Sequence, residues 1–228
     1  MSAKTHRFKV LLDPGHTPAN PGAISSQGLP ERGYNQNIAA LLLKRLAADP
    51  DFDARLSNGL NETVENPDRA ALANKLGVDM FLSIHHDSVQ DAYLSTWTFN
   101  GAAQQYCDKF HGYSLHVADN RGQSLDAPSL AFAEQVAAKL QAAGFAPTLH
   151  HAEPIAGENY KLLNRGLGVY ERNNLAVFRT NKRPAILLEC GVLVNREEER
   201  RLQDPQVQGR IVEAVYQAFR ESFAQQPH

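Results

Sequence analysis

Apolar residues along this chain fall into short runs and into stripes of helical spacing, and the two kinds alternate. Phe8 to Leu12 is a compact apolar run that predicts a first strand, and a long Gly/Pro/Ser-rich loop follows it. From about Asn35 a helix is predicted, because Ile38, Leu41, Leu42 and Leu46 keep its spacing. Phe52 to Leu56 predicts a second strand. Asn66 and Pro67 then open a short helix reaching Leu76, and Met80 to Ile84 predicts a third strand. Trp97 and Phe99, alternating with Thr96 and Thr98, predict a fourth strand.

Ser129 is placed to cap a helix that carries Phe132, Val136 and Leu140 and stops at Gly144, with His150 in a short strand beyond it. Leu175 to Phe178 and Ala185 to Leu188 predict the last strands, the second apolar throughout, as in a strand covered on both faces. Val207, Ile211, Val212, Val215, Tyr216 and Phe219 mark one stripe of a final helix. Strands interleaved with helices predict an α/β fold built as a single domain over residues 1–228, with a core from about 8 to 222. Its centre is expected to be a mostly parallel, twisted sheet of about six strands flanked by helices.

Composition narrows the function. With 23 Lys plus Arg against 25 Asp plus Glu, the net charge is -2, and no basic stripe offers itself to a phosphate backbone, which argues against nucleic acid. No run of about 18 apolar residues is present, so no membrane span is expected. Cys107 and Cys190 are too few for a thiolate zinc site, so any metal must use His and carboxylate, while one disulfide between them stays open. Residues before Phe8 lack the apolar stretch of an export signal.

Ligands of open α/β sheets gather at the carboxyl ends of strands. Three predicted strands end there in titratable residues: Asp13-Pro14-Gly15-His16, Ser83-Ile84-His85-His86-Asp87-Ser88 and Leu188-Glu189-Cys190-Gly191. The loop after the first strand is much longer than the usual two to six residues and also carries Glu31. His16, Glu31 and His85 would together supply the three protein ligands of a catalytic zinc site, with Glu189 as a free carboxylate beside it. Each has a plainer reading: His16 as a turn residue, Glu31 as a solvated loop charge, His85 as a hydrogen-bonded core histidine. Glu189, closing the run Ala185-Ile186-Leu187-Leu188, is the hardest to explain without a partner or a catalytic task. His150 and His151 would point to opposite faces of a strand, which favours surface histidines there, and Cys190 is expected as an inert buried thiol.

Several blocks resemble one family. Leu12-Asp13-Pro14-Gly15-His16, Pro21-Gly22-Ala23, Glu31, Arg69 with Ala73-Asn74, Ser83 to Ser88, Pro184 to Glu189 and Gly191 to Asn195 resemble, in order and spacing, the zinc-dependent N-acetylmuramoyl-L-alanine amidases of bacterial cell walls. The resemblance runs from about Lys9 to Phe219. It implies one zinc ion held by His16, Glu31 and His85, with Glu189 as the catalytic carboxylate. The implied reaction is hydrolysis of the amide between the lactyl group of N-acetylmuramic acid and the L-alanine of the peptidoglycan stem. It further implies work in the periplasm or cell envelope and room for a regulatory activator protein; with no export signal before Phe8, a leader removed from the chain is expected, with release by another machine or by lysis as the alternative.

The departures are His86 where alanine is common, Gly191-Val192-Leu193-Val194-Asn195 where Gly-Phe-Leu-Ser-Asn is usual, and Ser57-Asn58 in place of Thr-Arg. His86 is expected to add a titrating group near the metal. Asn100 to Pro128 and Gly157 to Asn174 are expected to shape the substrate groove, with Arg172 and Asn195 as substrate contacts. The resemblance implies that some relatives carry an inhibitory helix in the first of these segments, and no strong helical periodicity is present there, so an uninhibited site is expected. Two other functions remain: a peptidoglycan-binding module without turnover, and a zinc hydrolase acting on another amide.

Overall fold

The computed structural model describes residues 7–59, 62–118 and 126–225. Its strands are β1 (Phe8–Pro14), β2 (Phe52–Leu56), β3 (Met80–Asp87), β4 (Ser95–Phe99), β5 (Ala102–Tyr106), β6 (Ser114–Val117), β7 (Lys161–Asn164), β8 (Val169–Glu171) and β9 (Ala185–Val192). The helices are α1 (Glu31–Ala47), α2 (Asn66–Leu76), α3 (Ala127–Ala142), α4 (Arg196–Gln203) and α5 (Pro205–Gln225). Seven strands form one sheet in the order β2-β1-β3-β9-β6-β8-β7, close to the expected six or so. From β2 to β9 the pairing is parallel, β6 turns antiparallel against β9, β8 follows β6 in parallel, and β7 closes the edge antiparallel.

Alternation along the central strands sorts the core into two layers. Val10 and Leu12, Leu82 and Ile84, and Ile186 and Leu188 face α1, α3 and α5, where they meet Ile38, Leu42, Phe132, Val136, Ile211 and Phe219. Leu11, Phe81 and Leu187 face the other way, onto Ala73 and Val78 and onto Val177 and Phe178. Central strands covered on both faces read as unbroken apolar runs for this reason.

Several elements differ from expectation. Leu175 to Phe178 is a series of turns, Phe178 donating its N–H to the Leu175 carbonyl at 3.0 Å, so this apolar run covers the sheet instead of joining it. Among the described residues β4 pairs with β5 alone, as a separate hairpin. α1 starts four residues before Asn35, with Glu31 in its first turn and Pro30 as a cap that gives no side-chain signal. Asp126 takes the cap position of α3, while Ser129 sits within its first turn and accepts the Ala185 N–H at 2.8 Å. His150 to Ala152 form a 3-10 turn, not a strand, and both histidines are buried. Cys107 and Cys190 are buried free thiols, which closes the question of a disulfide. Residues 119–125 of the Asn100 to Pro128 segment lie outside the described residues, and its described part holds strands.

Candidate metal centre and active site

β1, β3 and β9 all end at one rim, and the register of β3 with β9 places His85 directly opposite Glu189. Neighbouring strands lie about 4.8 Å apart, so two side chains paired this way share one face of the sheet. The chain leaves β1 through Gly15 and returns as α1, whose first residue is Glu31. That return brings the carboxylate between two imidazoles: Glu31 Oε2 lies 2.8 Å from His16 Nε2, and Oε1 lies 3.0 Å from His85 Nδ1. The two rings meet edge to face with centroids 4.8 Å apart.

Glycine is needed at two points of this approach. A Cβ on Gly15 would stand 2.2 Å from the His85 ring, and one on Gly22, at φ +83°, would stand 2.5 Å from Glu31 Oε2. His16 itself is left-handed, at φ 71°, a costly conformation for a residue with a side chain, and its carbonyl is held by Arg69 at 2.7 Å. The same guanidinium donates to Asp13 Oδ1 at 2.8 Å, to the Pro14 carbonyl at 2.9 Å and to the Val64 carbonyl at 2.8 Å. Ser83 donates to Asp13 Oδ2 at 2.8 Å, so a buried polar bracket beneath the rim sets the direction of the His16 loop.

Burial alone would raise the pKa of Glu31, but hydrogen bonds and charge from His16 and His85 outweigh it and hold it well below the usual carboxylate range. The Ala23 N–H at 3.0 Å, the Asn35 amide at 3.0 Å and the His86 N–H at 3.2 Å also point at its two oxygens. Two imidazoles and an ionised carboxylate, oriented by outer hydrogen bonds, match a divalent metal in borderline-soft coordination, and their donor atoms lie within 4.8 Å of one another.

Asn35, one turn after Glu31 on α1, was not singled out by sequence reasoning, and a buried amide four residues beyond a candidate ligand is the signal for it. Its Oδ1 meets His86 Nδ1 at 2.8 Å. Asn35→Ala is expected to weaken metal affinity by about 10–100-fold with little change in fold, as read by competition with a chromogenic chelator. His86 points to the other side of β3, toward Tyr34. Burial lowers its pKa to about 4, so it stays neutral where the sequence led us to expect a titrating group.

Glu189 is partly buried, and its Oε2 has no hydrogen-bond partner. Desolvation first, then the nearby charges of Asp87 and Glu31, push its pKa well above the usual value, while Arg172 pulls it back down. It lines a cavity of about 270 Å³ together with Asp87, His116, His151, Tyr160 and Arg172. Arg172 stacks on Tyr160, its guanidinium carbon 3.5 Å from the ring centroid, and its buried Nε is unpartnered. Asn195 stands elsewhere: its side-chain Oδ1 caps α4 by accepting the N–H groups of Glu197 and Glu198, and it lines a different groove with Trp97 and Arg196.

Sequence reasoning missed His116, which lies in a strand of four residues, and it placed His151 on the surface. His151 is instead clamped between Asp87 and Glu158, 2.8 Å from each. Burial opposes its charge, but the two carboxylates prevail and raise its pKa to about 9.

A carboxylate gripped by two imidazoles at the carboxyl ends of a largely parallel sheet, with a second, unpartnered carboxylate one strand away, defines a candidate metal-assisted hydrolase of the α/β class. The chain belongs to the N-acetylmuramoyl-L-alanine amidase family (Amidase_3), whose sequence model matches residues 10–221. AmiB of Haemophilus influenzae is 27% identical over 220 residues, covering 92% of this chain and 51% of that protein, so the chain spans about half its length. Among solved structures, the N-acetylmuramoyl-L-alanine amidase of Clostridium difficile 630 shares the fold at a TM-score of 0.74 and 22% identity, over 98% of this chain and 100% of that one. The CwlD amidase of Clostridioides difficile, solved in complex with the GerS lipoprotein, shares it at 0.71 and 17%, over 96% and 100%.

Proposed function

We propose that the chain hydrolyses the amide joining the lactyl group of N-acetylmuramic acid to L-alanine of the peptidoglycan stem, with zinc held by His16, Glu31 and His85 and with Glu189 as general base. The observation that carries this reading is the pairing of the Glu31-centred triad with a free carboxylate across the β3–β9 register. Zinc at this site supplies a Lewis acid that polarises the scissile carbonyl and lowers the pKa of water.

Glu189 accepts a proton from the attacking water at its unpartnered Oε2 as the new C–O bond forms. It returns that proton to the amide nitrogen as the C–N bond breaks, leaving a lactyl carboxylate and a free peptide amine. A carboxylate whose pKa already lies above the usual value is a better proton carrier near neutrality than an exposed one. Asn35, the Ala23 N–H and the bracket of Asp13 and Arg69 keep Glu31 and His16 in place while this happens. Arg172, stacked on Tyr160 in the same cavity, offers a cation to the peptide side of the substrate. Asn195 enters by holding the corner between β9 and α4.

Such a substrate puts the work in the periplasm or cell envelope. None of the described helices is long and apolar enough to cross a membrane. A protein activator belongs to this reading; the structurally similar CwlD was solved in complex with a protein partner, the GerS lipoprotein.

Side-by-side digestion of purified peptidoglycan and of a free stem peptide tests the reading. Release of muramic-acid-free peptides from peptidoglycan is expected, with loss on chelation and recovery on adding zinc. Cleavage of the free peptide alone would leave a zinc hydrolase for another amide, and binding without any cleavage would leave a wall-binding module.

A further inference from the structure

Outside the triad around Glu31, a second set of ligand-type atoms converges. Asp87, His150 and His151 bring one donor atom each within 4.8 Å of one another, and all three residues are buried. His151 Nε2 lies 2.8 Å, and His150 Nε2 3.5 Å, from the same oxygen, Asp87 Oδ2. The 3-10 turn makes this possible: in a strand the two adjacent rings would diverge, whereas here their centroids are 4.0 Å apart.

The far nitrogen of each ring is already engaged. His151 Nδ1 meets Glu158 Oε2 at 2.8 Å, and His150 Nδ1 meets Thr148 Oγ1 at 2.8 Å. An ionised Glu158 can only accept, so the Nδ1 of His151 carries a proton and its Nε2 is the nitrogen that faces Asp87. An outer carboxylate or hydroxyl on one ring nitrogen, with the other aimed at a shared point, is how metal-binding imidazoles are oriented.

His150 Nε2 decides between a proton and a metal. It is buried and has no hydrogen-bond partner, since 3.5 Å to Asp87 is too long for one. A second proton on His151 would satisfy Asp87 and still leave His150 Nε2 orphaned. A divalent cation at the common focus would engage all three donors at once.

We propose that Asp87, His150 and His151 form a second metal site, separate from His16, Glu31 and His85, whose donor set of two imidazole nitrogens and one carboxylate suits zinc. An ion there ties the turn at His150 to the end of β3. Asp87 and His151 both line the cavity that holds Glu189, so the ion also stiffens that wall, including Glu158 and Tyr160.

The test is stoichiometry, which needs no turnover. The full chain is stripped by chelation, titrated with zinc, and its bound metal measured by mass spectrometry. About two ions per chain are expected in the wild type, and about one each in His150→Ala and in His85→Ala. Glu158→Gln, which keeps the shape of the site, is expected to weaken one of the two ions by about 10–100-fold and leave the other unchanged. A wild type that binds one ion overturns the proposal, and so does His150→Ala binding two. Should His150→Ala not fold, unchanged affinities for both ions in Glu158→Gln overturn it instead. A chain that binds two ions and leaves peptidoglycan intact sinks only the amidase reading.

Discussion

Glu189→Gln is expected to lower kcat on peptidoglycan by about 10²–10⁴-fold, the range for removing a positioned general base, while zinc content stays at the wild-type level. The substitution keeps side-chain length and removes only the ability to carry a proton. Thermal stability should hold or rise. A carboxylate whose folded pKa lies above its unfolded value is bound to a proton more tightly in the fold, so ionising it at neutral pH works against folding, and the amide removes that cost. His85→Ala is the control, because it takes a donor from the triad and should lose the ion of that triad and activity together. Equal zinc loss in both variants would make Glu189 a ligand and return the search for a base to the cavity it shares with His116 and His151.

The parts of this site that could be read from the chain are those written into long apolar runs. Ala185 to Leu188 is unmistakably a central strand, and a charge at its end stands out because burying it is costly. His85 is equally visible at the end of β3. Glu31 is singled out as a candidate by its chemistry, while the sequence misplaces its local structure. Pro30 has no side chain to signal a cap, so α1 seemed to begin at Asn35, and Glu31 was assigned to a loop when it is the first residue of the helix. The far half of the sheet was hidden for another reason. β6, β7 and β8 have four, four and three residues, too few to show a period of two. With β6 unseen, His116 had no address. For His150 and His151 a strand was assumed, and the rule that adjacent side chains diverge gave the wrong environment, because the 3-10 turn buries both beside Asp87. Period and propensity locate elements; a turn that folds two histidines onto one carboxylate depends on contacts from distant strands.

Arg69 carries the largest expected effect on stability. Its side chain is 1% exposed, Asp13 beside it is fully buried, and the pair is separated by 2.8 Å. Arg69→Met keeps much of the volume but leaves the Asp13 carboxylate with only the hydroxyls of Ser57 and Ser83. Removing one partner of a buried ion pair costs about 3–5 kcal/mol. In a chain of this size that corresponds to a fall in Tm of roughly 10 °C or more, measured by scanning calorimetry on the zinc-free protein. Adding Asp13→Asn should recover part of the loss, since the amide removes the stranded charge and can still bond to both serines. The double variant should nonetheless bind zinc more weakly than wild type. Arg69 also ties down the carbonyls of Pro14 and His16, and without that tie the left-handed backbone at His16 loses the contact that opposes its strain. Recovery of Tm without recovery of zinc affinity is therefore the expected result. Recovery of both would mean that Arg69 acts only as a counter-charge, and that Gly15 and Gly22 alone set the path of the His16 loop.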